Sequence, residues 1–352
     1  MLKLSVKNFG VLQDIDIELN KTNLFIGDNG SGKSTLAKLI TVITDFTLDE
    51  NGIVERLKDF NINFLNEDCF IELKEDDKLI IRIINDIITI SELSKHIKKV
   101  EKEINKIISI DDFIIEQEKN NSLKSKYIPA ERNLISLFNQ SLSNMITSNI
   151  PLPKTILEFS ADYNKARNDI KELNILGMRY ENENSQDRIY YEGSDFLGLE
   201  HSSSGIQSAL PLYLTLKYFA SKHENIIIEE PELNLYPKSQ IDTVKYMIEN
   251  QQNSSLSIMT HSPYILSVLN ILLFAYKASN TNDILKDKIS KIIPKEQQIN
   301  TDNFSAYLIE NGISKSIKGK STGMIEENDI GDMISNEFGE LMEIYREFKN
   351  DK

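Results

Sequence analysis

Residues 27–35 read GDNGSGKST, and this stretch decides the fold that we expect. It fits the pattern G-x-x-x-x-G-K-[ST]. Residues 23–26, which precede it, have the composition of a strand, and the apolar residues of 35–43 recur at helical spacing. A strand, a glycine-rich turn and a helix therefore follow one another, which is the setting in which this pattern forms a phosphate-binding loop.

Such a loop binds anions because its glycines let backbone N–H groups curl around phosphate oxygens, while the following helix directs its positive end at them. Lys33 is predicted to neutralise the β- and γ-phosphates, and Ser34 to bind Mg²⁺. We therefore expect the chain to bind a nucleoside triphosphate, with ATP and Mg²⁺ as its cofactors. The predicted ATP-binding residues are Asn29, Gly30, Ser31, Gly32, Lys33, Ser34 and Thr35.

A second, acidic segment reads ENIIIEEPELNLYP and begins at Glu224. A strand predicted at 226–228 delivers Glu229 and Glu230 to its carboxyl end, which is where ligands bind in open α/β sheets. Pro231 ends the strand because it cannot donate to the ladder. Glu229 is predicted to hold Mg²⁺, and Glu230 to orient and polarise the attacking water.

Two further segments add polar groups at the ends of predicted elements. HSSSGIQSALPLYL places Ser203, Ser204 and Gly205 at the start of a helix predicted over 204–220, which makes a second anion-binding terminus. SIMTHSPYIL places His261 just beyond a short strand, where its imidazole could hydrogen-bond a γ-phosphate. Each segment alone has a structural alternative, a helix N-cap for the serines and a satisfied structural residue for the histidine.

Taken in the order of the chain, the four segments resemble those of the ATP-binding cassette (ABC) ATPases: Walker A, signature, Walker B and switch histidine. The opening LKLSVKNFG resembles the first strand of the RecF, SMC and Rad50 branch. YIPAERN, SSGIQ, IIIEEPELNLYP and THSPYIL are more closely similar to the prokaryotic AAA family ATPases related to the ATPase half of the OLD proteins, such as those of Septu, retron and other anti-phage systems. The resemblance covers about residues 2–275.

The resemblance implies the fold class: an α/β, ABC-type P-loop ATPase head with an antiparallel β-subdomain, a mainly parallel doubly wound core sheet and a helical lobe. It also implies hydrolysis of ATP to ADP and phosphate, with Glu230 and His261 as the catalytic residues. Such heads pair head to tail, so that the signature residues of one copy complete the nucleotide site of the other. Those predicted signature residues are Ser203, Ser204, Gly205 and Gln207.

The sequence departs from the transporter pattern at three places. Glu229 stands where an Asp is usual, and the signature reads SSGIQ instead of LSGGQ. The glutamine that senses magnesium in transporters has no clear counterpart, although Glu131 or Arg132 lies where the corresponding strand should end. A surface salt bridge is the alternative for these two residues.

We predict four parts of the chain: an N-terminal ATPase core with Walker A and a β-meander (1–89), a helical insertion or lobe (90–185), a second core segment with signature, Walker B and switch histidine (186–278), and a small C-terminal α+β extension (279–352). The meander is predicted from strand-like runs at 60–65, 69–73 and 79–84. The remaining predicted elements are a helix at 90–110, a polar linker at 116–125, a mostly helical region up to about 180, a polar loop at 181–188, a hairpin turning at Asn311-Gly312 and an acidic helix from about Ile330.

Composition excludes several classes of protein. The chain has 352 residues with 40 Lys+Arg against 54 Asp+Glu, and its net charge of -14 disfavours wrapping of a polyanion over the whole surface. It lacks the run of about 20 apolar residues that a membrane span requires. The single cysteine, Cys69, excludes an intramolecular disulfide and leaves too few thiolates for a zinc site. With no export signal visible, the cytoplasm is the expected location.

The leading hypothesis is an ATPase that closes as a dimer or larger oligomer and so acts as a switch for a separately encoded effector protein, in anti-phage defence. The alternative is a RecF- or Rad50-like DNA-binding repair ATPase, which predicts a salt-dependent affinity for DNA. DNA is therefore a possible but not favoured partner. A transporter's ATPase subunit is the least favoured interpretation, since it would need a membrane partner.

Overall fold

The computed structural model describes residues 1–91, 124–138, 151–191, 193, 195–281 and 283–326. Its strands are β1 Leu2–Phe9, β2 Leu12–Leu19, β3 Thr22–Ile26, β4 Phe70–Glu75, β5 Lys78–Ile84, β6 Ile87–Ile90, β7 Ser125–Ile128, β8 Glu172–Ile175, β9 Met178–Glu183, β10 Gln186–Tyr190, β11 Phe196–Gly198, β12 Asn225–Glu229, β13 Leu256–Thr260, β14 Phe304–Glu310 and β15 Ile313–Ser316. Its α-helices are α1 Lys33–Ile43, α2 Glu50–Asp59, α3 Asn133–Phe138, α4 Lys154–Asp169, α5 Ser204–Ala220, α6 Pro237–Asn250, α7 Pro263–Ser279 and α8 Asp283–Ser290.

Within the described residues, eleven strands form one mixed sheet in the order β6-β5-β4-β1-β2-β15-β14-β3-β13-β12-β7. The half from β14 to β7 is parallel, and the half from β6 to β2 is antiparallel. Helices cover both faces of the parallel half, so its central strands are apolar on both sides. The predicted fold class, with an antiparallel β-subdomain beside a doubly wound core, is confirmed.

The two faces of the sheet bury separate cores. Along β3, Leu24 and Ile26 face a core built largely from α4 to α7, whereas Phe25 faces a core shared with α1 and α2. This alternation follows from the two-residue period of a strand. The parallel strands therefore pack between two layers of helices, and this packing fixes the relative positions of the loops at the strand ends.

The antiparallel meander exists, but the strand predicted at 60–65 is wrong. Phe60 directly follows the last residue of α2, and it lies with Ile62 in the core under the sheet as the chain leaves the helix. These apolar residues are therefore buried by packing, without pairing in a ladder. The three meander strands are β4, β5 and β6, and the last of them lies at Ile87–Ile90.

A second sheet of four antiparallel strands, in the order β11-β10-β9-β8, corrects two more predictions. The helical region ends with α4 at Asp169, well before residue 180. Residues 181–188, predicted as a polar loop, lie mostly in β9 and β10. Asn182 and Asp187 are buried there, because their side chains point into a polar core instead of into solvent. That inward polarity reverses the pattern by which strands are recognised in a sequence.

The predicted hairpin at Asn311-Gly312 is confirmed, and it joins the main sheet between β3 and β2. The four-part division of the chain stays a prediction, although β9 and β10 pair across its boundary at 185/186 and β14 pairs with β3 across 278/279. Residues 92–110 of the predicted helix, most of the polar linker and the acidic helix from Ile330 lie outside the described residues. In the part of the chain that the structure describes, we find no helix that is long and apolar enough to cross a membrane.

Candidate nucleotide-binding site

The predicted site residues meet at one edge of the sheet because β3, β13 and β12 are parallel neighbours. The phosphate loop follows Ile26 at the end of β3. Glu229 ends β12, and His261 follows Thr260 at the end of β13. Loops that leave the carboxyl ends of adjacent parallel strands lie side by side. The sheet therefore brings the phosphate loop next to two segments that lie more than 190 residues further along the chain.

Lys33 begins α1 and is buried, and its ammonium group folds back over the phosphate loop. Its Nζ donates hydrogen bonds to the carbonyl oxygens of Gly27, at 2.6 Å, and Asp28, at 2.8 Å. Burial lowers the pKa of Lys33 below its ordinary value, and the negative charges of Glu230 and Asp28 oppose that shift. The lysine is therefore held beside the loop in which phosphates are expected.

Two glycines give the phosphate loop its shape. A Cβ on Gly27 would lie 2.0 Å from the carbonyl oxygen of Ile309, because the β14–β15 hairpin packs directly against the loop. Gly32 precedes α1 with a φ of +109°, in the left-handed region that favours glycine. Of the other predicted loop residues, Asn29, Gly30 and Ser34 are exposed, Thr35 is half-buried and Ser31 is buried.

Glu229 fits the role of a cation ligand. Its side chain is buried, and among the described residues its Oε1 has no hydrogen-bond partner. Burial raises the pKa of Glu229, while hydrogen bonds from the hydroxyls of Ser34 and Tyr127 oppose that rise. An orphaned carboxylate oxygen beside a serine hydroxyl is an all-oxygen donor set of the kind that Mg²⁺ prefers. The residues at this position therefore fit the expected ion.

Glu230 has a backbone conformation that is uncommon for its residue type, with a φ of +46°. His261 Nδ1 lies 3.0 Å from its Oε1 and 2.9 Å from its Oε2. Burial and the neighbouring charge of Glu232 raise the pKa of Glu230 to about 8, and the charge of Lys33 opposes the shift. A carboxylate with a pKa near neutral pH is suited to accept a proton in catalysis.

Sequence reasoning missed two residues of the site, Glu232 and Tyr127. Glu232 is buried, and its Oε1 accepts hydrogen bonds from the Thr260 hydroxyl and, at 3.3 Å, from the backbone N–H of His261. The buried Tyr127 on β7 reaches Glu229, and burial raises its own pKa far above the ordinary value. Two features of the sequence could have indicated them: Glu232 is the third carboxylate of the EEPE segment, and Tyr127 is the first residue of YIPAERN.

Arg132 is fully buried, so the alternative of a surface salt bridge is wrong for this residue. Its guanidinium donates four hydrogen bonds to carbonyl oxygens: those of Ser208 at 3.0 Å, Pro129 at 3.1 Å, Glu229 at 2.8 Å and Glu230 at 2.6 Å. Arg132 therefore holds the backbone of both carboxylates instead of facing a nucleotide. Its neighbour Glu131 is exposed.

The predicted signature segment divides into an exposed and a buried part. Ser203 and Ser204 are exposed at the start of α5, and Ser203 is the N-cap although, in the part of the chain described, its side chain forms no capping hydrogen bond. Gly205 is half-buried, and a Cβ there would lie 3.1 Å from the carbonyl oxygen of Asn234. Gln207 is buried, and its Nε2 donates to the carbonyl oxygen of Glu200 at 3.0 Å. Gln207 therefore faces its own chain, apart from the exposed serines.

Comparison with solved structures finds similarity to SMC heads. The Smc head bound to the C-winged helix domain of ScpA has a TM-score of 0.41 and 12% identity, over 90% of this chain and 96% of that one. A Smc head with an extended coiled coil, bound to the C-terminal domain of ScpA derived from Pyrococcus furiosus, has a TM-score of 0.40 and 13% identity over 90% and 96%. The SMC head of Thermotoga maritima has a TM-score of 0.42 and 13% identity over 90% and 97%.

Comparison with curated proteins gives no match. A family model does match, over residues 23–267, and its description is "AAA domain, putative AbiEii toxin, Type IV TA system". The matched segment is more than half of the chain, and it includes the phosphate loop, Glu229, Glu230 and His261. The chain therefore belongs to this family of AAA domains.

Proposed function

We propose that the chain binds ATP with Mg²⁺ at residues 27–35 and hydrolyses it to ADP and phosphate. The observation that carries this proposal is the convergence of Lys33, Glu229, Glu230 and His261 at one edge of three parallel strands. The carboxylates of Glu229 and Glu230 act electrostatically on Lys33, which supports a single site with a cation for phosphate and acidic groups for hydrolysis. Membership of an AAA domain family supports the same activity.

Ser34 and Glu229 would hold Mg²⁺, which supplies neutralisation of the negative charge that develops on the transferred phosphoryl group. Glu229 suits this role because one of its buried oxygens lacks a hydrogen-bond partner within the described part of the chain. Lys33 adds a second positive charge, and the backbone N–H groups of the loop bind phosphate oxygens.

Glu230 is the proposed base that accepts a proton from the attacking water. Its raised pKa, about 8, makes its carboxylate a stronger base than an ordinary glutamate. His261 contacts Glu230 through Nδ1, which orients the carboxylate. Glu232 holds the backbone of His261 by accepting a hydrogen bond from its N–H.

A second copy of the chain completes the site in this proposal. The exposed hydroxyls of Ser203 and Ser204 lie at the N-terminus of the 17-residue helix α5, whose positive end favours an anion. In a head-to-tail pair, this terminus would contact the nucleotide held by the phosphate loop of the partner subunit. ATP would then hold the two copies together.

We further infer that this closure is a switch for a separately encoded effector protein in anti-phage defence. The support is the resemblance of YIPAERN, IIIEEPELNLYP and THSPYIL to the ATPases of such systems, together with a family description that names a toxin of a toxin–antitoxin system. The switch can operate in a dimer or in a larger oligomer.

A steady-state phosphate-release assay tests the hydrolysis. Glu230→Gln should lower kcat by a factor of about 100 or more with little change in ATP affinity, since only the base is removed. Lys33→Ala should abolish ATP binding, whereas Lys58→Ala, which alters an exposed lysine of α2, should match wild type. Wild-type turnover by the Glu230→Gln protein would contradict the assignment of the base.

A mixing experiment tests the shared site. Lys33→Ala inactivates the site in its own copy, and Ser204→Glu places a repelling charge in the site of the partner. Each protein should be inactive alone. A randomly exchanged one-to-one mixture should recover about a quarter of the wild-type rate, because about half of the dimers are mixed and each has one intact site. A mixture that stays inactive, although the subunits exchange, would contradict the head-to-tail arrangement.

A pull-down from the native host tests the effector. Tagged Glu230→Gln protein with ATP and Mg²⁺ should remain closed, and the double variant Lys33→Ala/Glu230→Gln is the matched control that cannot load ATP. A stoichiometric protein partner captured only by the single variant would support the switch. Nucleic acid without such a partner would favour the RecF- or Rad50-like alternative, despite a net charge of -14.

A further inference from the structure

Three groups at the candidate site form a cluster that the proposed function uses only in part. Glu230, Glu232 and His261 each offer one ligand atom, and these three atoms lie within 4.8 Å of one another. They come from the turn after β12 and from the residue after β13, so the rigid parallel sheet sets their spacing. Ser34 and Glu229, the proposed Mg²⁺ ligands, are not part of this cluster.

The cluster contains a carboxylate oxygen that lacks a partner. Glu232 is only 7% exposed, and within the described residues its Oε2 has no hydrogen-bond donor. The ligand oxygens of the two carboxyl groups lie within 4.8 Å of one another. Two facing carboxylates repel unless a proton or a cation lies between them, and a buried orphaned oxygen is costly.

The nearby protein cations do not fill this role. The Lys33 ammonium donates to the carbonyl oxygens of Gly27 and Asp28, and in the part of the chain described it forms no ion pair with either carboxylate. The Arg132 guanidinium is directed at backbone carbonyls, including those of Glu229 and Glu230. The acidic side chains of the cluster therefore face one another without either of these cations between them.

The donor set favours a particular class of cation. Two carboxylates and one imidazole suit Zn²⁺, which binds nitrogen and oxygen donors and often keeps a fourth position for water. Mg²⁺ prefers oxygen ligands alone. His261 is half-exposed, which gives the ion an entry path. The Thr260 hydroxyl donates to Glu232 Oε1, as the outer hydrogen-bond partner of a metal ligand does.

We propose that the nucleotide-free chain binds one divalent transition-metal ion, of the Zn²⁺ class, through Glu230, Glu232 and His261. Binding itself does not depend on the proposed function. A consequence does rest on it: the ion would occupy the base and the histidine that hydrolysis needs, so Zn²⁺ would inhibit turnover while ATP stays bound at the phosphate loop. The site would thus couple transition-metal level to the ATPase cycle.

Titration of the metal-free, nucleotide-free full chain tests the binding. Zn²⁺ is followed by calorimetry, and Co²⁺, used in its place, by the visible absorption that appears on ligation. We expect one site per chain. Glu232→Gln and His261→Ala should each weaken Zn²⁺ binding by about 100-fold or more. Loss of an outer hydrogen-bond partner costs about 10–100-fold in metal affinity, and loss of a direct ligand costs more. His201→Ala is the matched control, because His201 is a surface histidine whose Nε2 lies 3.8 Å from Oε1 of Glu200. Its loss should leave the Zn²⁺ affinity at the wild-type value.

The outcomes separate this proposal from the proposed function. Absence of a Co²⁺ spectrum, or equal Zn²⁺ affinity in wild type and His261→Ala, would show that the two carboxyl groups share only a proton and would overturn the metal site. The His261→Ala variant is expected to fold like wild type, because the His261 side chain is half-exposed, so its loss of Zn²⁺ affinity would not result from misfolding. Binding of a fluorescent ATP analogue is measured in parallel. A chain that binds Zn²⁺ as expected but binds no nucleotide would sustain the metal site and contradict the ATPase.

Discussion

Replacement of Arg132 by methionine tests whether one buried side chain holds the candidate site together. Arg132 has no exposed surface, and its guanidinium serves the carbonyl oxygens of Pro129, Ser208, Glu229 and Glu230. Methionine has a similar length and fills much of the same space, but it donates no hydrogen bond. The substitution therefore removes the hydrogen bonds and the charge with little change in packing.

The magnitude follows from the groups left behind. Three of the four hydrogen bonds are fully buried. The bond to Glu230 is partly buried, and that carbonyl also accepts from the backbone N–H of Leu233 at 3.0 Å, so it keeps a partner. Each orphaned carbonyl costs about 1–3 kcal/mol. The desolvation of Arg132, which lowers its pKa to about 10, is relieved by the change and offsets part of this. We expect a loss of about 3–5 kcal/mol in the free energy of unfolding, the range typical of removing one partner from a buried charged network.

Urea denaturation measures this loss. The chain has 13 tyrosines and no tryptophan, so far-UV circular dichroism and tyrosine fluorescence are the suitable signals. Arg82→Met is the matched control. Arg82 is 40% exposed and pairs with Glu72, which keeps Lys74 as a second partner, so this change should cost less than about 1 kcal/mol.

A second variant separates the charge from the hydrogen bonds. Arg132→Lys keeps the positive charge among the carboxylates, but three N–H donors on one nitrogen cannot reach four carbonyls spread around a planar guanidinium. It should therefore lie between wild type and Arg132→Met in stability. If Arg132→Met unfolded with the same free energy as Arg82→Met, the carbonyls would have found other partners and the reasoning would be refuted.

Three other predictions concern pH, packing and the second sheet. Because Glu230 must be ionised to act as a base, kcat/KM should rise with pH through its pKa of about 8, and Glu232→Gln should move that rise to lower pH by removing a negative charge. Gly27→Ala should lower both Tm and ATP affinity, because the new Cβ would lie 2.0 Å from the carbonyl oxygen of Ile309. Asp187→Leu should lower the free energy of unfolding by about 3–5 kcal/mol, measured in urea, because it strips two tyrosine hydroxyls and an arginine of their buried acceptor.

The elements of the parallel core could be predicted because their signals are local. The strand before the phosphate loop and the helix after it obey the periods of regular structure, and the helix predicted over 204–220 coincides with α5. Glu229, Glu230 and His261 each follow or end a short apolar strand, so their place at a sheet edge could be expected. The carboxyl ends of these strands lie together because β3, β13 and β12 are parallel neighbours, and no single segment of the sequence contains that strand order.

The second sheet could not be predicted because its core is polar. Asp187 is buried and accepts hydrogen bonds from Tyr163 at 2.7 Å, Tyr180 at 2.8 Å, Asn182 at 2.8 Å and Arg167 at 3.0 Å. Such a network lets polar residues occupy the inner face of a strand, where an alternation rule expects apolar ones. The run ENENSQDR therefore has the composition of a loop and the structure of a hairpin.

Arg132 shows why the rest of the candidate site needs the fold. Its partners, Ser208 and Glu230, lie 76 and 98 residues along the chain, and only the adjacency of β7, β12 and α5 brings them to one guanidinium. The same side chain bonds the first turns of α5, at whose N-terminus a partner's nucleotide is proposed to bind, and the backbone of the proposed base. A displacement of α5 cannot leave the Glu230 backbone unmoved without breaking one of these hydrogen bonds. We therefore expect the binding proposed at the N-terminus of α5 to change the position of the proposed base through Arg132.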